Sequence, residues 1–99
     1  MPDKVKILKI KDLDDCTEEG CIAREVILNE PVTKDLIYFL GKEGEMKYIP
    51  DLPVPFFKVV LTGIYILKGV EGKNAIRLTA KIDKMKEAQK YFEKYIKGY

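Results

Sequence analysis

The chain has 99 residues, which suits one domain and is too short for two ordinary ones. Apolar residues make up 46% of it, enough for a hydrophobic core, yet no apolar run approaches the roughly 18 residues of a membrane-spanning helix. Eighteen basic and sixteen acidic residues leave a net charge of +2, so the charge of the whole chain favours neither nucleic acid nor a membrane surface as a partner.

The residue types that are missing narrow the function further. The sequence contains no His and no Ser, which excludes the usual catalytic triads, and no phosphate-binding glycine-rich loop follows a predicted strand. Charge is carried mostly by Lys and Glu, a composition typical of thermophilic proteins. The opening Met-Pro-Asp-Lys does not resemble a secretory signal, so we expect a cytoplasmic protein.

Residues 4–11 predict a strand that contains a β-bulge. Val5 and Ile7 share one face, and the alternation then slips by one residue at Leu8 and Ile10. One extra residue in a strand reverses the facing of every residue after it, which explains the slip. A short helix stays open as an alternative, because Ile7 and Ile10 are also separated by helical spacing.

Residues 12–20 are acidic and poor in apolar side chains, and we interpret them as an exposed loop. Their carboxylates could offer hard oxygen ligands to a divalent cation such as Ca²⁺ or Mg²⁺. These carboxylates are Asp12, Asp14, Asp15, Glu18 and Glu19. The spacing departs from an EF-hand, since Cys16 stands at its fifth position and Ala23 at its twelfth. A solvated loop is the simpler interpretation, and a divalent-cation-binding protein is the alternative function.

Cys16 and Cys21 form a pair separated by four residues beside these acids. Two thiolates could share a soft metal ion, but structural zinc and iron–sulfur sites usually have four ligands, and the chain has no other Cys and no His. A local disulfide is a second interpretation. The simplest interpretation is that both cysteines are free thiols without a metal or redox role.

Residues 21–29 have spacings that fit either a strand or a helix. Their β-branched run and the following Pro31 favour the strand. Residues 31–42 predict a short buried helix with Thr33 as N-cap and Gly41 at its end. Glu45–Ile49 would then form a brief strand, followed by an extended, proline-rich connection.

The strongest pattern is a long β-hairpin predicted for residues 56–82. β-branched and aromatic residues fill both arms, and Gly69, Gly72 and Asn74 cluster where the chain reverses. The side expected under the helices carries Phe57, Val59, Leu61, Tyr65, Leu67, Ile76, Leu78, Ala80 and Ile82. For both arms to share that side, opposed residue numbers must add to an odd number. A turn with Gly72 and Lys73 at its centre makes opposed residue numbers add to 145. It is favoured over a turn one residue earlier, because Gly suits the first central position of a type II′ turn.

Residues 84–97 predict a final helix capped by Asp83. Its apolar residues recur at spacings of three and four, as in a helix that lies on a sheet. They are Ile82, Met85, Ala88, Phe92, Tyr95 and Ile96. Lysines on its outer side, with Tyr91, Tyr95 and Tyr99, make nucleic-acid binding through this basic helix a third hypothesis, although Tyr95 also belongs to the apolar stripe. A solvated face is simpler, because the base-reading residue Arg occurs only twice.

Together these elements predict one α+β domain over residues 1–99. We expect a two-layer domain with an antiparallel or mixed sheet of about five strands, in the order β-β-α-β-β-β-α, and two helices packed mainly on one face. The other face would then expose an apolar strip made of Phe56, Val60, Ile64 and Ile66. The leading hypothesis is a small binding domain without catalysis or cofactor, which uses this face or a sheet edge to bind a protein partner or a second copy of itself.

Overall fold

The computed structural model describes residues 5–13, 20–42, 44–49, 51, 53 and 55–99. Within these residues the chain forms six strands and two helices. In chain order they are β1 (Ile7–Leu13), β2 (Cys21–Leu28), α1 (Lys34–Leu40), β3 (Glu45–Ile49), β4 (Phe56–Leu61), β5 (Tyr65–Val70), β6 (Ala75–Lys81) and α2 (Met85–Ile96).

The six described strands form one antiparallel sheet in the spatial order β1-β2-β6-β5-β4-β3. β3 to β6 pair successively as a meander, and β6 then pairs with β2, which brings the hairpin of β1 and β2 into the same sheet. α1 connects β2 to the distant edge strand β3. The predicted α+β architecture is confirmed, with six strands in place of about five.

The additional strand comes from the first arm of the predicted hairpin. Residues 62–64 form a tight turn between β4 and β5, in which Gly63 has a φ of +80° and the N–H of Ile64 donates to the carbonyl of Leu61 at 2.9 Å. Leu61 lies directly opposite Tyr65, so the apolar alternation continues unbroken through the turn. The predicted first arm is therefore two antiparallel strands, β4 and β5, whose apolar residues alternate as they would in a single strand.

β5 and β6 pair in the predicted register. Their opposed residue numbers add to 145, as for Leu67 and Leu78. The connection is longer than the predicted two-residue turn, because the four residues 71–74 separate the strands. Within it Gly72 has a φ of +92°, and the N–H of Lys73 donates to the carbonyl of Val70. The predicted odd sum is confirmed, and only the turn geometry differs.

The loop at residues 71–74 also docks on the end of β2. The N–H of Leu28 donates to the carbonyl of Asn74, and the N–H of Val32 donates to the carbonyl of Lys73, both at 2.7 Å. The N–H of Gly72 in turn donates to the carbonyl of Val32 at 2.9 Å. These bonds hold the hairpin of β5 and β6 in position against β2.

β1 contains the predicted bulge. Ile7 lies opposite Leu28 and Lys9 lies opposite Ile27, so Leu8 is the extra residue, and it is 65% exposed. The pairing resolves the ambiguity between strand and helix in favour of the strand.

Both helices pack on one face of the sheet. Thr33 caps α1 by accepting a hydrogen bond from the N–H of Leu36 at 3.2 Å, as predicted. α2 begins at Met85 without a side-chain cap, so the predicted cap at Asp83 is wrong. The largest fully buried side chains come from both layers and include Val26, Leu28, Phe57, Val59, Leu67, Ile76 and Leu78 of the sheet, and Leu36, Ile37, Met85 and Phe92 of the helices.

Two residues predicted for the helix side differ from the others. Ile82 is 60% exposed, because it lies in the turn between β6 and α2, where its N–H donates to the carbonyl of Gly20 at 2.9 Å. Leu61 is half-buried at the end of β4. The predicted core is therefore correct in the middle of the strands and differs at their ends.

Gly69 lies directly opposite Phe57, and a Cβ at this position would be 2.7 Å from Cε1 of the buried ring. We predict that Gly69→Ala lowers the free energy of unfolding by about 1–3 kcal/mol, because the ring cannot move without disturbing the core. Urea denaturation measures the change. Combining it with Phe57→Leu should recover part of the loss, and strictly additive losses in the double variant would contradict the steric explanation.

Candidate functional site

The candidate functional site is the sheet face opposite the two helices, which we call the open face. Directly opposed residues of antiparallel strands lie on the same face of a sheet. The strand pairings therefore define rows of side chains that cross the sheet from one edge to the other. Three such rows cover the middle of the open face.

The middle row consists mainly of cations. From β3 to β1 it contains Lys47, Lys58, Lys68, Arg77, Glu25 and Lys11, each directly opposite the next. We call its first four members the cation row. Because neighbouring strands are about 4.8 Å apart, the backbone positions of these four residues span about 14 Å across the sheet.

Apolar side chains dominate the rows on either side. One, the Val60 row, contains Glu45, Val60, Ile66, Thr79, Ala23 and Leu13. The other, the Phe56 row, contains Ile49, Phe56, Val70, Ala75, Ile27 and Lys9. Within these three rows only Ala23 and Thr79 are buried, and the other side chains are half-buried or exposed. A molecule on this face would contact aliphatic carbon on both sides of a line of positive charge.

The cation row is an unfavourable arrangement for an isolated sheet. Like charges directly opposite each other destabilise paired strands, and the row contains three such pairs in succession. The three rows together hold six basic and two acidic residues, a net charge of +4 compared with +2 for the whole chain. A negatively charged molecule bound on this face would relieve the repulsion.

Two shallow recesses lie at the two ends of β5 and β6. The first, of about 330 Å³, is mostly apolar, and we call it the apolar recess. Its lining includes Cys21, Val60, Ile64, Ile66, Thr79, Lys81 and Lys84. The second, of about 340 Å³, lies beside the loop at residues 71–74, and its charged lining residues are Glu25, Lys68, Lys73 and Arg77.

The predicted apolar strip is divided between the open face and a turn. Phe56, Val60 and Ile66 lie half-buried on the open face. Ile64 lies in the turn between β4 and β5, where it packs against the core and lines the apolar recess. Whether this strip binds a partner stays a prediction.

The predicted cation site falls largely outside the described residues, which include only Asp12 of its five carboxylates. Asp12 is exposed and pairs with Arg24, whose Nε donates to Oδ1 at 2.8 Å. The other four, Asp14, Asp15, Glu18 and Glu19, lie outside, as does Cys16. No group of three or more metal-ligating side chains occurs among the residues that are described. Cys21 has a free, half-buried thiol.

The three tyrosines of the C-terminal segment, two in α2 and Tyr99 beyond its end, pack against neighbouring rings. Tyr91 stacks on Tyr95 at 6.2 Å between ring centroids, and the Tyr95 hydroxyl donates to the carbonyl of Phe39 at 2.9 Å. Tyr99 also packs on Phe39, with ring centroids 5.2 Å apart. Tyr95 and Tyr99 therefore join the C-terminal segment to α1, and Tyr91 packs between Tyr95 and Tyr65 of β5, so all three tyrosines contribute to the packing of the fold.

The side chain of Tyr48 has a pKa well above that of an ordinary tyrosine. Its hydroxyl donates a hydrogen bond to Glu71, and this bond, with smaller contributions from desolvation and from the charge of Glu71, raises the pKa of Tyr48 to about 12. The phenol therefore stays protonated at neutral pH, which argues against a role as general base or nucleophile. The contact ties the edge strand β3 to the loop after β5.

The cation row was not predicted from the sequence as a site. Lys58 and Lys68 share the solvent side of the predicted arm, and the register of 145 places Lys68 opposite Arg77. The sequence pattern did not predict the turn at residues 62–64, and it is this turn that brings Lys58 directly opposite Lys68. Without that turn the two lysines are ten residues apart along one strand.

We predict that Lys58→Glu stabilises the fold, because Lys58 lies between Lys47 and Lys68 and the change converts two repulsive pairs into attractive ones. The gain should be about 0.5–1 kcal/mol at low ionic strength and smaller in high salt. Urea denaturation at two salt concentrations measures it. Lys9→Glu is the matched control, since Lys9 lies opposite the uncharged Ile27. Equal effects of the two changes would show that the cation row is not under electrostatic strain.

A second prediction concerns Tyr48. Its pKa is raised from 10.0 to about 12, so the stability that this contact contributes is fully present below pH 10 and is lost as the pH rises through about 12. Ultraviolet absorbance of phenolate should show one tyrosine titrating near pH 12 that disappears in Tyr48→Phe. Glu71→Gln should return its midpoint toward 10, and an unchanged midpoint would mean that the Glu71 contact is not the cause.

No helix in the described part of the chain is both long and apolar enough to cross a membrane. Comparison of the chain with protein-family models, with curated proteins and with solved structures finds no match.

Proposed function

We propose that this protein is a non-catalytic binding domain that docks an acidic protein partner on its open face. The observation that carries the proposal is the cation row, bordered on both sides by apolar rows. Buried apolar contacts would supply binding energy, and carboxylates of the partner would pair with Lys47, Lys58 and Lys68 and remove their mutual repulsion. A cytoplasmic location stays the expectation from the sequence.

The chemistry of the apolar rows favours a protein over a nucleic acid. Single-stranded nucleic acids bind sheets through aromatic side chains on which the bases stack. Phe56 is the single aromatic residue of the three rows, and its neighbours are aliphatic. Three of the four cations are Lys, whereas Arg is the usual residue for reading bases. Aliphatic rows beside lysines suit a surface of apolar side chains and carboxylates.

The charge of the open face also favours a different protein over a second copy of this chain. A two-fold symmetric dimer brings the same patch of both subunits together. Two open faces, each with six basic and two acidic residues in its three rows, would then repel each other. Divalent-cation binding by residues 12–19 stays the alternative function. The proposed docking on the open face does not depend on that segment.

The proposal predicts binding to acidic polypeptides at the open face. The probes are polyglutamate, a random glutamate–tyrosine copolymer and polyuridylate of matched length, each followed by amide chemical-shift mapping. The copolymer should bind most tightly, because it offers both carboxylates and apolar side chains. The double substitution of Lys58→Gln with Lys68→Gln should weaken its binding roughly tenfold, as expected for the loss of two favourable ion pairs.

The matched control changes the same charge on the other side of the molecule. Lys86 and Lys90 are exposed on α2, and substituting both with Gln should leave copolymer binding unchanged. Tighter binding of polyuridylate than of the copolymer would indicate a nucleic-acid partner and contradict the proposal. Loss of binding only in the α2 variant would assign the binding to that helix instead.

A further inference from the structure

The apolar recess lies over the middle of the Val60 row, which is adjacent to the cation row. Val60, Ile66 and Thr79 form part of its lining from three adjacent strands, and Ile64 contributes from the turn between β4 and β5. Its volume of about 330 Å³ is at the lower end of the range for pockets that bind small ligands. A recess of this size can hold one large apolar side chain.

The described charged residues that line the recess are both basic. Lys81 and Lys84 line it and are exposed, and none of its described lining residues is acidic. Glu87 lies beyond Ile64, in an adjoining depression that also contains Lys84. Among the described lining residues, Lys84 therefore shares a depression with an acidic residue, whereas Lys81 does not. An occupant with an apolar group and a nearby negative charge would match both features.

The recess is bounded by backbone that is held in place. The turn at residues 62–64 is closed by the hydrogen bond from Ile64 to Leu61, and the turn after β6 is held by the hydrogen bond from Ile82 to Gly20. Ile82, which follows Lys81, leaves a further 60% exposed apolar side chain at this end of the molecule. A preformed recess costs less to occupy than one that must first open.

From these features we infer that the apolar recess is the anchor pocket of the open face: it takes one large apolar side chain of the acidic partner, with a carboxylate beside it that pairs with Lys81. The inference rests on the proposed function and adds the chemistry that the partner must present. Interfaces concentrate their binding energy in such buried anchors, and the surrounding charges select among partners.

N-acetylphenylalanine is a direct probe, because it combines an aromatic side chain with one carboxylate. We expect it to shift the amides of residues 60–66 and 79–84, with a dissociation constant on the order of 1 mM for a ligand of this size. Its neutral amide should bind about two- to fivefold more weakly, as should the carboxylate to the Lys81→Gln variant. N-acetylalanine, which lacks the large side chain, should give no localised shifts.

Val60→Trp should fill the recess and abolish these shifts, while Ile27→Trp, a matched change in the Phe56 row, should leave them intact. The thiol of Cys21 offers a second readout in a Cys16→Ala background, because an occupant should slow its alkylation. Shifts that persist in Val60→Trp, or equal binding of acid and amide, would overturn the inference. The copolymer experiment on Lys58 and Lys68 is independent of this recess, so the anchor can fail while the proposed function stands.

Discussion

The register of the antiparallel pairs is the constraint on which both layers of this protein depend. With Leu67 opposite Leu78, the side chains of Lys68 and Arg77 are directed away from the helices. A slip of one residue would exchange the two faces of a strand and bring charged side chains into the core. An unpaired charge buried there costs several kcal/mol. The pairing that builds the hydrophobic core therefore also assembles the cation row.

Charges on the two sides of the sheet are arranged differently. On the helix side, Arg24 joins three elements: its Nε donates to Asp12 at 2.8 Å, and its Nη1 donates to Oε1 of Gln89 at 2.5 Å. The ion pair of Arg24 with Asp12 connects β2 to β1, and the hydrogen bond to the neutral Gln89 connects β2 to α2. On the open face, three like-charged pairs follow one another. These three pairs do not stabilise the sheet, and the cation row gains an opposite charge only where Glu25 lies opposite Arg77. The three like-charged pairs are the basis of the proposed binding role.

Local patterns in the sequence were sufficient for most of the fold. Alternation predicted the two faces and the bulge of β1, and Thr33 marked the start of α1 because a cap depends on a few neighbouring residues. The turn after Leu61 could not be found, since the alternation continues through it. The cation row remained hidden for the same reason, because its members come from four strands and become neighbours only once every register is known.

The bulge at Leu8 has a consequence for how other chains can approach the sheet. β1 and β3 are its edges, and a regular edge strand is a template onto which another strand can add. The extra residue interrupts the hydrogen-bonding pattern of β1, and β3 is only five residues long. Such edges discourage lateral growth into aggregates. Pairing of two molecules edge to edge through β1 or β3 is therefore disfavoured, and the two faces of the sheet are the broader surfaces that the fold leaves for contact.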